Sequence, residues 1–187
     1  MLQEIIKDNP VDIHSPILNL KENIDLVPSN VELSGVEVDI ANMKNGRDSV
    51  LKSYVSKVKK NYDFILIDCL PSLGMLTVNA LAASNSVIIP TQPHFFSAKG
   101  LEQLLRTVSK VRYEINPKLR IDGIIMTLVM SRTNMNKEVI STIKNSYGHK
   151  IKVFDTMIPF SIRAVEATAE GKSIFEYEEK RESCHRL

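Results

Sequence analysis

The chain has 187 residues, 43% of them hydrophobic and 25% charged, with a formal net charge of +2. That length suits one domain with a substantial core, and near neutrality neither demands nor excludes a nucleic acid partner. No apolar run approaches bilayer length, Glu4, Lys7, Asp8 and Asp12 leave no secretory h-region, and Cys69 and Cys184 read as two reduced thiols of a cytosolic protein.

In chain order, the first apolar run is NIDLVPSN (23–30), and a helical pattern follows over 46–60, where SKVKK (56–60) forms a solvated end. The run DFILID (63–68) precedes a second helix over 74–83, with Leu76, Ala80 and Ala83 in register. SVIIPTQP (86–93) then leads to a helix expected to start after Ser97 and to stop before Asn116-Pro117. Its Leu101, Leu104, Leu105, Val108 and Val111 share a face. DGIIMTLV (122–129) precedes a helix from Met135 to Tyr147 that stops at Gly148, and KVFDTMIP (152–159) is the last run. Val, Ile and Leu fill these runs without alternation, as in strands covered on both faces. The expected fold is α/β, doubly wound, around a mainly parallel sheet. It covers residues 1–178, and 179–187 form a tail without apolar periodicity.

Ligands of such sheets bind beyond the carboxyl ends of the strands. Those ends are Pro28-Ser29-Asn30, Asp68, Pro90-Thr91-Gln92, Val129-Met130-Ser131 and Ile158-Pro159. Asp68 has two readings: an acid that helps hold Mg²⁺ in a nucleotide triphosphatase, or a cap for the helix that follows. His94 follows a strand but has no nucleophile in triad order, and His14, His149 and His185 have no ligand spacing. Ser72 lacks a surrounding G-x-S-x-G and reads as a turn residue.

The run YDFILIDCLPSLGMLTVNALAASNSVIIPTQPHFFSAKGLEQLL (62–105) resembles the central region of the ParA/Soj/MinD group of ATPases. NIDLVPSNVELSGVEVDI (23–40), MSRTNMNKEV (130–139) and TMIPFSIRAVEATAEGKSIFEY (156–177) resemble further segments of that group in collinear order. ParA/Soj is the closer fit, over roughly residues 20–178. The resemblance implies a cytoplasmic P-loop ATPase that dimerises around ATP and Mg²⁺ and binds DNA without sequence preference. It also implies a centromere-binding, ParB-like partner that stimulates hydrolysis, and no membrane. By position, Asp68 would serve the metal and catalysis. Val129, Met130, Pro159 and Phe160 would flank the adenine, and Arg132 and Arg163 would carry DNA contacts. Arginine suits that role because its planar fork grips phosphate oxygens.

The sequence also departs from this group. It contains no G-x-x-x-x-G-K-[ST], and its glycines (35, 46, 74, 100, 123, 148, 171) are scattered. Leu70 stands where the group has a proline, Met130 where it has an aspartate, and Phe160 where it has an arginine. The expectation is therefore the C-terminal part of a partition ATPase, inactive by itself. The alternative is a nucleotide-independent protein that binds DNA or a partner. With the phosphate-loop strand missing, the runs at 64–67 and 87–90 should either pair directly or leave a gap between them.

Overall fold

The computed structural model describes residues 2–6, 12–70, 72–130 and 133–177. The chain divides into two compact units, Met1–Ser86 with Arg106–Leu119, and Val87–Leu105 with Arg120–Leu187.

The first unit opens with helix α1 (Leu2–Ile6) and the strands β1 (Leu18–Lys21) and β2 (Ile24–Leu26). Here the structure corrects the expected buried strand at 23–30. β2 has three residues, pairs antiparallel with β1 through Leu18↔Leu26, and is exposed along its length. Asn23, in the left-handed region at φ 65°, turns the chain back on itself, so the local hairpin forms. Helix α2 (Leu33–Asn42), which the apolar runs did not predict, buries Val36 and Ile40 one turn apart. Helix α3 (Val50–Val58) buries Val50, Tyr54 and Val58 and ends in a 3₁₀ turn at Lys59–Asn61. Helix α4 (Met75–Ala83) adds Met75 and Leu76 to the cluster around Val36, Ile40 and Val50.

The second correction concerns DFILID. Residues 64–70 form no strand, and Phe64 and Leu66 are 87% and 93% exposed. β-propensity expresses fit to a half-buried pleated surface between neighbours, and no described segment supplies a ladder here. Among the described residues this run therefore takes part in no ladder.

In the second unit, β3 (Ser86–Thr91) and β4 (Arg120–Met126) form a parallel pair. Residues 152–160 run alongside β4 through the parallel bridges Ile124↔Val153 and Val129↔Pro159, not as a continuous strand. At Gly123 the neighbouring segment comes so close that a Cβ would lie 2.8 Å from the Lys152 carbonyl oxygen and 2.6 Å from the Phe154 ring. Helix α5 (Phe95–Glu114) starts two residues before the expected Ser97 cap, where the Ser97 and Ala98 amides donate to the His94 carbonyl. With α6 (Asn134–Tyr147) it covers a core of Ile89, Leu101, Ile124, Met126 and Ile143. Two further helices were not predicted, α7 (Ile162–Ala169), capped by the Ser161 hydroxyl, and α8 (Ile174–Tyr177). The expected tail lies outside the described residues. No helix among the described residues is long and apolar enough to cross a membrane.

Candidate functional site

In the first unit, Asp68 is exposed and makes no hydrogen bond or ion pair with the described residues. The helix-capping reading is not realised, because Gly74 is the N-cap of α4 and the Glu37 carboxylate accepts from the Leu76 amide at 3.4 Å. Between them, the Ser72 amide donates to the Leu70 carbonyl at 2.7 Å, and the Thr77 hydroxyl donates to the Ser72 carbonyl at 2.7 Å. Partial burial of its sulfur, then the Asp68 carboxylate, hold the Cys69 thiol above its ordinary value.

Asn79, 1% exposed on α4, accepts from the Leu51 amide and donates to the Arg47 and Met75 carbonyls. It thereby ties the start of α3 to α4 and is fully engaged in structure. Asn116 does the same at the other end of α4, donating to the carbonyls of Leu81 and Ser84.

The hairpin of the same unit borders an open cleft of about 380 Å³, lined by His14, Ile17, Asn19, Asp25, Asn61 and Tyr62. The Tyr62 hydroxyl donates to Asp25 at 2.7 Å and the Asn19 amide donates to the other carboxylate oxygen at 2.9 Å. Both bonds favour the carboxylate and lower the Asp25 pKa, and the first raises that of Tyr62. The depressed carboxyl contributes stability above its ordinary 3.8 and loses it as pH falls through the folded value. The raised phenol contributes below its ordinary 10.0 and loses it as pH rises through the folded value. Site-resolved NMR titration should find Tyr62 ionising above that value, and Asp25→Asn should return it towards 10.0. An unchanged Tyr62 titration in the variant would show that the pair is not formed.

The second unit brings together two of the expected adenine-flanking positions. The Val129 amide donates to the Ile158 carbonyl and the Phe160 amide to the Val129 carbonyl, both at 3.1 Å. This parallel bridge sets Val129 beside Pro159 and leaves the Met130 and Phe160 side chains 46% and 51% exposed at its end. Leu128, just before it, has φ 52°, a left-handed conformation that costs a leucine about 1 kcal/mol and turns the chain out of β4. Arg163 lies half-buried in the first turn of α7, and Arg132 lies outside the described residues. Sequence reasoning missed Asn136. It is buried at the start of α6, and its Nδ2 has no hydrogen-bond partner among the described residues.

These residues fit a bound nucleotide and metal unequally. An exposed, unbonded carboxylate such as Asp68 can take a hydrated Mg²⁺, which needs one or two carboxylates alongside water and phosphate oxygens. The described residues hold no cluster of three or more His, Cys, Asp or Glu, so Asp68 belongs to no such cluster among them. The apolar end of the Val129–Pro159 bridge fits a base, but the sequence holds no glycine-rich loop for the phosphates.

Comparison with known proteins settles the family. The family described as AAA domain matches residues 1–121. The sporulation initiation inhibitor protein Soj of Bacillus subtilis is 42% identical over 157 residues, covering 84% of this chain and 61% of that protein. The chromosome partitioning protein ParA of Myxococcus xanthus is 35% identical over 184 residues, 97% of this chain and 63% of its own length. This chain belongs to the ParA/Soj family. It spans about three fifths of the length of these two relatives. The Mycobacterium smegmatis cobyrinic acid a,c-diamide synthase, solved with an ATP analogue and magnesium bound, is 31% identical. It superposes with a TM-score of 0.77 over 95% of this chain and 68% of that one. The fold is therefore the α/β fold of ParA-like P-loop NTPases.

Proposed function

We propose that the chain is part of a ParA/Soj-type partition ATPase that segregates DNA in an ATP-dependent cycle. The observation that carries this reading is the 42% identity to Soj across 84% of the chain. The Val129–Pro159 bridge adds support, since it sets two of the expected base-flanking positions side by side. In the intact assembly Mg²⁺ bound with ATP would offset charge on the phosphates during hydrolysis. Asp68 would hold a water or the metal itself, while Val129, Met130, Pro159 and Phe160 would flank the adenine. The remaining parts of the reading are a homodimer on DNA of any sequence, a ParB-like stimulating partner and a cytoplasmic location.

The DNA part has a direct test. Arg132→Ala and Arg163→Ala should each weaken binding to unrelated duplexes alike and flatten the salt dependence by about one unit of log–log slope. Filter binding across a salt series measures this. An unchanged slope in both variants would remove these arginines from the DNA surface, and a sequence-dependent loss would indicate base readout.

A further inference from the structure

We infer that Glu37 is the positioning residue for the loop between Asp68 and α4, its carboxylate lying beside the Gly74 N-cap. The inference rests on the reading that Asp68 serves the metal, since only then does the loop's shape matter to the reaction. A Cβ on Gly74 would overlap Glu37 Oε1 and lie 2.9 Å from its Cδ. The same oxygen accepts from the Leu76 amide at 3.4 Å. Glu37 therefore performs the capping that Gly74 at the N-cap lacks the side chain to provide. Its carboxylate also carries the charge that a helix N-terminus favours.

Glu37 is held from both sides. Val36 and Ile40, one before and three after it, are buried in the cluster that also receives Met75 and Leu76. The backbone that carries Glu37 is thus fixed relative to the first turn of α4. From that turn a chain of bonds runs back towards Asp68, from the Thr77 hydroxyl to the Ser72 carbonyl and from the Ser72 amide to the Leu70 carbonyl, two residues from Asp68. Removing Glu37 should loosen both ends of this chain, whereas a cap acting on α4 alone would loosen just the near end.

The test uses the full chain without nucleotide or metal. Its failure would leave the metal reading of Asp68 standing, and that reading is tested separately by Asp68→Asn in Mg²⁺ titrations of the intact ATPase. Glu37→Ala should accelerate amide exchange at Leu76 and also at Ser72, each by roughly fivefold. Glu37→Gln keeps an acceptor oxygen and should restore Ser72 to within about twofold of the unaltered protein. Gly74→Ala should push the Glu37 carboxylate, the far end of a flexible side chain, off the Leu76 amide and accelerate Leu76 and Ser72 exchange as Glu37→Ala does. Gly74→Ala serves if Glu37→Ala does not fold. Unchanged Ser72 exchange in Glu37→Ala or in Gly74→Ala would overturn the inference.

Discussion

Asn79→Ala is expected to lower stability by about 3 kcal/mol, the largest single-residue effect anticipated in the first unit. The side chain is 1% exposed and serves three backbone groups on two helices: the Leu51 amide and the Arg47 and Met75 carbonyls. Alanine removes their partner without admitting water freely, so each loses a bond and keeps its desolvation cost. For a chain of this size the melting temperature should fall by about 10 °C. Asn79→Asp should be no milder, because a carboxylate oxygen would then face the two carbonyls that Nδ2 now serves. Thermal unfolding of both variants decides this. A loss below about 0.5 kcal/mol in either would mean that Asn79 is not the link between α3 and α4.

The second expected result is that this chain alone shows no calorimetric binding of ATP·Mg²⁺ at nucleotide concentrations up to about 1 mM. The triphosphate carries most of the ligand's charge, and its recognition in this family of folds depends on backbone N–H groups and lysines of a glycine-rich loop. The sequence contains no such loop. On the proposed reading Val129 and Pro159 would flank a base, and one exposed carboxylate would offer a ligand to a hydrated ion. Neither offsets the cost of holding several negative charges without donors. Micromolar affinity would overturn this, and would place the phosphate-binding groups on residues other than a P-loop.

The pairing of two candidate segments was legible as position but not as geometry. The end of β4 and the Ile158-Pro159 turn were readable as neighbours, because an apolar run followed by proline marks a strand end and parallel strands put such ends together. Leu128 was not readable, since a left-handed leucine has no sequence signature and arises from the turn that carries the chain from β4 to its bridge with Pro159. Asn79 was visible inside the LTVNAL motif, but its partners at Arg47 and Leu51 lie about thirty residues away. Glu37 left a fainter trace. Leu33, Val36 and Ile40 repeat at helical spacing around it, a short period that the apolar run before it obscures.

By itself the sequence determined the helices α3, α4, α5 and α6, the family, and the lack of a phosphate-binding motif. A helix closes its hydrogen bonds within four residues, so period, cap and stop signals nearby suffice to announce it. The tertiary structure alone decided which apolar runs became strands. SVIIPT and RIDGIIM found each other and the 152–160 segment, whereas DFILID remained outside any ladder and IDL turned back on its own neighbour. A strand's bonds are made by another segment, and no property of the run itself states whether that segment is there.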